Sequence, residues 1–336
     1  DIVTVIELLA HDLRAIEPTR TRLPADAPAS RLLTRPTHGL HDEALDLEAF
    51  QGERREVLEH WKTGPRARDL EDNATFLAAQ PSFPRVQAAV NEGRRSILVQ
   101  PRSGVPDLDH QISLFETFKR CGAPVLSYQV DSMTRNNDYR GAEIAIRESR
   151  EEGHARLNGF PVVNHGVDGL RRVISTVKVP LQTRHSTRDP RLLAEISYGG
   201  GCTAYEGGCI TYNIPYYRDY PLDEAIRAWQ YVDRLTGLYH ERYGITLDRE
   251  FFGTLTATLI PPSLAIVTCL LEAILATQQG VKCVTLGYAE QGHRLQDIAA
   301  IQAMREVTED TLARLGFHDV QVNTVFHQYM AAFPLD

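Results

Sequence analysis

Long polar side chains are concentrated beside glycines in residues 181–216, LQTRHSTRDPRLLAEISYGGGCTAYEGGCITYNIPY. Five of them have types that bind small charged molecules: Arg184, His185, Glu206, Tyr212 and Tyr216. A guanidinium offers a planar fork that matches a carboxylate with two parallel hydrogen bonds. A single glutamate suits an ammonium group, and tyrosine hydroxyls can bond a further carboxylate. The pattern predicts a pocket for a small dicarboxylic amino acid.

Two further arginines, Arg102 and Arg135, follow apolar, strand-like runs elsewhere in the chain. Three guanidiniums at one place repel one another unless an anion lies among them. Taken singly, these residues have plainer explanations. A strand-end arginine is commonly a surface or ion-pair residue, His185 could be a structural histidine, and the tyrosines could serve packing. A shared anion-binding pocket requires that these residues converge at one site, whereas the plainer explanations do not.

Apolar runs typical of strands alternate with amphipathic helical runs at a spacing of roughly 30 residues, which is the pattern of repeated βα units. The sequence predicts strands at 96–102, 124–132, 159–165, 179–185, 202–207, 253–260, 282–288 and 319–326. It predicts the intervening helices at 108–120, 139–152, 167–177, 190–196, 222–243, 264–278 and 295–315. Eight units, with neither GxGxxG nor a P-loop after the first strand, favour a closed (β/α)8 TIM barrel over an open doubly wound sheet.

The expected domain organisation is an N-terminal arm over residues 1–52 and a catalytic barrel over residues 53–336. The arm is expected to carry one amphipathic helix at Ile2–Ile16. In such barrels the active site lies where the strands end and the loops begin. That rule places the candidate residues at one mouth, at the ends of the first, second, fourth and fifth strands: Arg102, Arg135, Arg184 with His185, and Glu206, with Tyr212 and Tyr216 on the loop after the fifth strand.

Composition excludes several classes of protein. A net charge of −8 and a pI near 5.9 argue against binding to nucleic acid or to an anionic membrane surface. The five cysteines are irregularly spaced without CxxC, and no HxH pair occurs, so neither disulfides nor a metal site is expected. The N-terminus lacks the basic flank of a signal peptide, and the apolar run 264–276 is shorter than a membrane span. A cytoplasmic location is expected.

Residues from about 53 to 336 resemble the large E (epsilon) subunit of the glutamate mutase family, also called methylaspartate mutase. The motifs that carry the resemblance are QPRSGV (100–105), TRNNDY (134–139), LNGFPVVNHGV (157–167), PLQTRHSTRDPRLLAEI (180–196), YEGGCITYNIPY (205–216), FGTLTATLIPPS (252–263), QDIAAI (296–301) and TVFHQYMAAFP (324–334). The match is nearly collinear and covers most of the chain.

The resemblance implies a (β/α)8 barrel and a role for each candidate residue. In the family, three arginines grip the two substrate carboxylates, and they match Arg102, Arg135 and Arg184. The remaining substrate-binding positions match His185, Glu206, Tyr212 and Tyr216, with Glu206 near the substrate amine. Arg102, Arg184 and Glu206 are the expected catalytic residues. The positions that contact the cofactor adenosylcobalamin match Gly104, Asn158, Pro215 and Phe333.

The resemblance also implies a partner. A separate small cobalamin-binding S (sigma) subunit closes the barrel in that family and supplies the axial histidine from an Asp-x-His-x-x-Gly motif. That motif does not occur in this sequence. The family assembles as an E dimer flanked by S subunits, a heterotetramer. Its chains continue past the FP motif to a lysine and a glutamate that contact the adenosyl ribose. This sequence ends at Asp336, so the expectation is either a chain truncated at its C-terminus or an adenosyl pocket that is built differently.

The activity implied is a radical rearrangement of L-glutamate to 3-methylaspartate that depends on adenosylcobalamin. Three alternatives stay open at this point. A related cobalamin-dependent mutase could act on another dicarboxylic amino acid. The chain could be a catalytically silent barrel that serves as a partner subunit. A barrel lyase or hydrolase without cobalamin would be active without a partner.

Overall fold

The computed structural model describes residues 43–217, 219–252 and 260–328. Its strands are β1 (Arg102–Ser103), β2 (Leu126–Gln129), β3 (Leu181–Arg184), β4 (Ala204–Glu206), β5 (Asp248–Phe251), β6 (Cys283–Ala289) and β7 (Gln321–His327). Its helices are α1 (Leu47–Glu59), α2 (Leu70–Ala78), α3 (Phe83–Asn91), α4 (Leu108–Arg120), α5 (Ser132–Arg135), α6 (Tyr139–Glu152), α7 (Val162–Val177), α8 (Arg191–Gly199), α9 (Cys209–Tyr216), α10 (Leu222–Tyr243), α11 (Pro262–Gln278) and α12 (Arg294–Arg314), with a 3-10 helix at Gly64–Ala67.

The seven strands form one parallel sheet in chain order, β1 to β7. Parallel neighbours need a crossover connection, and helices supply it between successive strands. The register places Arg184 opposite Gln129, and Glu206 opposite Glu250. Polar and charged side chains on neighbouring strands are thereby brought level with one another.

Contacts between strands that are not neighbours show that the sheet curls around an axis. Gln182 on β3 donates to Glu250 on β5 at 2.8 Å. Gln100, just before β1, donates to Gln182 at 2.7 Å, and Nε2 of His327 on β7 lies 3.2 Å from Glu250. A layer of four side chains from alternate strands is the interior arrangement of a (β/α) barrel. The predicted α/β barrel class is confirmed, with seven strands among the described residues.

Helix α3 covers the amino-terminal end of the sheet. Gln87 donates to Thr285 on β6 at 2.8 Å, and Asn91 donates to Asn323 on β7 at 2.8 Å. At the start of the helix, the backbone amide of Phe83 donates to Thr203, just before β4. Because one end is filled in this way, the carboxyl ends of the strands are left to form the pocket.

The predicted third strand, 159–165, is wrong. Residues Val162–Val177 form helix α7, and of the predicted strand Phe160 alone makes an isolated bridge, to Val130. The apolar run that suggested a strand is the first turn of a buried helix. That helix is interrupted at Gly166, where φ is 68°, a value that favours glycine.

The predicted first and sixth strands are also corrected. Regular pairing in the first is confined to Arg102–Ser103, and Ile97 and Val99 before it are exposed. Most of the predicted strand at 253–260 lies outside the described residues, and the strand of this unit is β5, which precedes it. The predicted loop after the fifth strand is helix α9. The N-terminal helix at Ile2–Ile16 lies outside the described residues.

No helix in the described part of the chain is both long and apolar enough to cross a membrane. All five cysteines fall within that part, and none forms a disulfide.

A buried ion pair fastens helix α1 to the barrel. Arg54 donates to both oxygens of Glu195 on α8, at 2.8 and 3.0 Å, and Tyr231 on α10 donates to the same carboxylate at 2.6 Å. Arg54 also donates to the carbonyls of Ala67 and Arg68. Helix α1 therefore packs on the barrel along its length, although it begins before the predicted arm boundary at residue 52.

Replacing Glu195 with alanine should destabilise the protein strongly. Arg54 would keep its charge in the interior without a carboxylate, which typically costs about 3–5 kcal/mol. Urea unfolding measures the loss. The matched control is Glu309→Ala, which removes an exposed pair with Arg305 and should cost less than about 0.5 kcal/mol. Equal losses for the two variants would contradict the assignment.

Candidate functional site

One guanidinium is shared between two carboxylates at the centre of the barrel mouth. Arg184, the last residue of β3, lies 3.1 Å from Glu206 at the end of β4 and 2.6 Å from Glu250 on β5. All three side chains are buried. A charge removed from water needs such pairing, and strand ends supply it because the register brings them level.

Glu250 is held on both sides. Its Oε2 accepts a hydrogen bond from Gln182, and its Oε1 is contacted by Arg184 and lies beside His327. Gln100 in turn orients Gln182. Glu250 is therefore the fixed counter-charge of Arg184.

The two carboxylates have opposite shifts of pKa. Burial disfavours the charged form of Glu250, but the positive charge of Arg184 and the neighbouring His327 and Gln182 outweigh it and lower its pKa to about 2. Burial raises the pKa of Glu206, and Arg184 offsets this in part while the charge of Glu250 adds to it. Glu206 is thus the carboxylate that can take up a cation or a proton.

Hydrogen-bonding capacity is left over at Glu206. Its Oε2 and the hydroxyl of Tyr212 are both buried, and neither has a hydrogen-bond partner within 3.5 Å among the described residues, although the hydroxyl is near enough to Glu206 to oppose part of the rise in its pKa. Tyr212 and Tyr216 lie on helix α9, with Tyr216 38% exposed toward the mouth. Buried polar atoms are rarely unpaired, so these two mark a place for a polar ligand.

The charges of Arg102 on β1 and Arg135 on α5 act at the same place. Burial raises the pKa of Tyr216, and the charges of Arg102 and Arg135 both oppose that rise. Arg102, the first residue of β1, is exposed, whereas Arg135 on α5 donates to Ser186 at 3.2 Å. The charges of Arg102, Arg135 and Arg184 therefore act on the tyrosines of helix α9 at one mouth.

His185 is buried in an aromatic cage and is neutral. Its ring stacks on Trp229 at 5.7 Å and meets Tyr212 edge-on at 5.2 Å. Its Nδ1 accepts from the backbone amide of Thr187, so the proton of the neutral ring is on Nε2. Burial, and then the charge of Arg249, lower its pKa well below the usual value. His185 can act as a neutral donor.

Arg249 positions Glu206 from behind and was missed by sequence reasoning. Fully buried on β5, it donates to the carbonyls of Tyr205 and Gly207, both at 2.7 Å, which flank Glu206. Asp233 on α10 balances its charge at 2.6 Å. Sequence reasoning missed Glu250 as well. Both residues lie in β5, which has three successive charged residues and therefore does not look like a buried strand.

Two of the four predicted cofactor positions lie together at the rim. A Cβ on Gly104 would come within 2.3 Å of the carbonyl of Gln129 and 3.1 Å of Gly159, so glycine is required there by packing. Asn158, next to Gly159, is exposed and its Oδ1 accepts from the amide of Ser132. The side chain of Pro215 and all of Phe333 lie outside what the structure describes.

Comparison with known proteins identifies relatives over most of the chain. Residues 81–336 match the family model described as the methylaspartate mutase E chain (MutE). A glutamate mutase epsilon subunit from Desulfitobacterium hafniense is 45% identical over 300 residues, 88% of this chain and 62% of the relative. The same-named protein of Escherichia coli O157:H7 is 44% identical over 88% of this chain and 62% of its own length. That of Halobacterium salinarum is 46% identical over 80% and 55%. The chain thus spans about three-fifths of the length of these relatives.

Replacing His327 with glutamine should change how stability depends on pH. Burial lowers the pKa of His327 to about 4, so between pH 6.5 and 4 the unfolded chain binds a proton that the folded chain does not. Stability is therefore lost as pH falls through this window. The free energy of unfolding of the wild type relative to His327→Gln should drop by about 2 kcal/mol from pH 7 to pH 5. A difference that is constant with pH, measured by urea unfolding, would show that His327 does not titrate this way.

Proposed function

This chain belongs to the family of the methylaspartate mutase E chain, and we propose that it is the substrate-binding catalytic subunit of a mutase that interconverts L-glutamate and 3-methylaspartate with adenosylcobalamin. The observation that carries the proposal is the buried pair of Arg184 and Glu206, 3.1 Å apart, with Oε2 of Glu206 unpaired within 3.5 Å. The pair offers neighbouring places for an anion and a cation, which is the charge pattern of an α-amino acid.

Selection of a dicarboxylate rests on the other two arginines. Once one carboxylate binds Arg184 and the amine binds Glu206, the charges of Arg102 and Arg135 at the mouth attract a second carboxylate. Tyr212 and Tyr216 can donate to either carboxylate, and the neutral Nε2–H of His185, which is near the backbone carbonyl of Glu206, is proposed as a further donor. A monocarboxylic amino acid would leave two guanidiniums without a partner.

Anchoring is the catalytic task that we assign to these residues. When bound, adenosylcobalamin supplies the radical chemistry that removes a hydrogen atom from the substrate. The arginines hold the carboxylates of the acrylate and glycyl fragments in place while the carbon skeleton is rearranged, because a fragment that drifts would react elsewhere. Glu206 accepts a hydrogen bond from the amine, and its raised pKa lets it take a share of the proton.

The rim residues fit contact with a flat, amide-fringed cofactor. Packing demands no side chain at Gly104. Asn158 is exposed, and its Oδ1 accepts from the backbone amide of Ser132, so its Nδ2 remains a donor for a cofactor. Gly104 and Asn158 would hold the cofactor together with Pro215 and Phe333. The small sigma subunit is proposed as the partner that brings cobalamin with its axial histidine, in a heterotetramer around an E dimer. A cytoplasmic location completes the proposal, in keeping with five unpaired cysteines.

Alternatives from three classes are distinguishable. A related mutase would act on a substituted or different dicarboxylic amino acid. A silent barrel would assemble with the cobalamin subunit without turning over, and a lyase or hydrolase would act without any partner. The pocket charges favour a dicarboxylic amino acid as the ligand, because they match one ammonium and two carboxylates, and the family of the relatives favours a mutase.

Ligand binding to the chain alone tests the pocket. Titration calorimetry should show binding of L-glutamate, and weaker binding by about tenfold in Arg184→Lys, because a point ammonium cannot reproduce the fork between two partners. Arg314→Lys, which changes an exposed arginine paired with Asp310, is the matched control and should bind as the wild type does. Equal affinity in Arg184→Lys and the control would remove Arg184 from the pocket.

The role of Glu206 can be separated by the choice of ligand. Glu206→Gln should lower affinity for L-glutamate by about tenfold, since a buried charge-assisted hydrogen bond to the amine is lost. Affinity for glutarate, which has both carboxylates and no amine, should not fall. A parallel loss for both ligands would mean that Glu206 acts on the arginines and not on the amine.

Turnover with a cobalamin-loaded sigma subunit decides among the functions. We expect 3-methylaspartate to form from L-glutamate, measured by NMR, and a glutamate-dependent paramagnetic cobalt signal in electron paramagnetic resonance. Assembly without signal or product would indicate the silent partner. Product from another dicarboxylate alone would indicate the related mutase, and activity without the partner would indicate a lyase or hydrolase.

A further inference from the structure

Helix α9, which carries both pocket tyrosines, begins without a side-chain cap from its own N-cap residue. Its N-cap residue is Gly208, which has no side chain to accept from the first amides. Glu272, on helix α11, supplies the missing acceptor: its Oε1 accepts from the amides of Ile210 at 2.8 Å and Thr211 at 3.0 Å. The wall of the pocket is therefore fixed by a residue 61 positions beyond Thr211 in the chain.

The contact between Gly208 and Glu272 is a close one. A Cβ at Gly208 would lie 2.1 Å from Oε1 of Glu272 and clash. Glu272 is 1% exposed, and its second oxygen has no hydrogen-bond partner within 3.5 Å among the described residues. It is also the single charged residue in the sequence of helix α11. A buried carboxylate at this place is costly unless the helix end compensates it.

The charges around Glu272 are few. Arg249 on β5 faces it, but that guanidinium is already bound to Asp233 and to two carbonyls. Asp233 on α10 and the thiol of Cys209 on α9 line the same small cavity, with Trp229 beside them. Helix α12 and strand β6 also pack on α11. Among the described residues, neither of them contributes a side chain to the lining of this cavity. Burial raises the pKa of Glu272 to about 7, and the amides of α9 and Arg249 offset only part of that rise.

We propose that Glu272 is a positioning residue: its carboxylate holds helix α9 so that Tyr212 and Tyr216 face the substrate, and its protonation loosens that wall and weakens substrate binding. The proposal rests on the proposed function only for the identity of the ligand. An ionised carboxylate accepts strongly from two helix amides and interacts favourably with the helix dipole, whereas the neutral acid does so weakly.

The sign of the pH effect follows from the raised pKa. Below pH 7 Glu272 is protonated and the cap is weak, and above pH 7 it is ionised and the cap is strong. Affinity for L-glutamate should therefore rise by about two- to fivefold from pH 6 to pH 8, the size of a helix-end charge interaction. Glu206 also has a raised pKa, so the effect must be assigned through variants of Glu272.

Tryptophan fluorescence observes the helix without any ligand. The chain has two tryptophans, and Trp229 contacts Tyr212 at 6.0 Å and borders the cavity of Glu272. In a Trp61→Phe background, emission should show one transition near pH 7. Glu272→Gln, nearly equal in shape, should abolish it, and the control Glu309→Gln on an exposed helix should keep it. The same transition in Glu272→Gln would overturn the proposal.

Calorimetry with L-glutamate completes the test. Glu272→Gln should bind at pH 8 as weakly as the Trp61→Phe parent does at pH 6. Gly208→Ala retains Glu272 but pushes its carboxylate away from the start of helix α9, so it should show the same weak affinity. It replaces Glu272→Gln in the test if that variant does not fold. Parent-like affinity and pH dependence in Gly208→Ala would overturn the proposal. A Glu272-dependent fluorescence transition without glutamate binding would support the positioning role and contradict the proposed function instead.

Discussion

A positive charge buried at the mouth of the barrel is the constraint on which the site depends. Arg184 has almost no contact with solvent, and removing a guanidinium from water is tolerated only with paired, hydrogen-bonded anions. Glu206 and Glu250 are the two anions that pair with Arg184, and their different environments give them different roles. Glu250, fixed by Gln182 and His327, remains ionised and keeps the charge of Arg184 balanced. Glu206 has the weaker contact and a raised pKa, so it is the group that can change partners.

The interior polar layers explain why the backbone places these groups so closely. Alternate strands send Gln182, Glu250 and His327 to one level, and each restrains the next. Behind the fourth strand, Arg249 grips the two carbonyls that flank Glu206. The same contacts therefore serve stability and the site: the residues that satisfy buried charge also orient Glu206, whose Oε2 keeps spare hydrogen-bonding capacity.

Much of the fold and about half of the site could be predicted from the sequence, and the failures have physical causes. Arg184 and Glu206 were predictable because they end strands, and parallel strands end at one edge, while Arg102 lies in the two-residue strand β1. Strand β5 was missed because Asp248, Arg249 and Glu250 resemble a surface loop in sequence, yet all are buried by pairing with residues far along the chain. The third strand was predicted wrongly because a buried helix and a buried strand begin with the same apolar run. Glu272 as a helix cap depends on a contact between distant segments, which no local pattern encodes.

An internal ion pair that an amino acid can replace offers a physical reason for this arrangement. If a ligand places its carboxylate on Arg184 and its ammonium on Glu206, each protein charge exchanges one partner for another, and the net charge buried at that point does not change. The desolvation that a buried ion pair requires has then already occurred during folding, with Glu250 and Gln182 as its support. Only the second carboxylate adds charge, and it meets Arg102 and Arg135 at the more exposed mouth, where burial is incomplete. The exchangeable pair of Arg184 and Glu206 therefore lies in the buried part of the pocket, where its geometry is held by several contacts. The arginines that select a second carboxylate lie at the entrance.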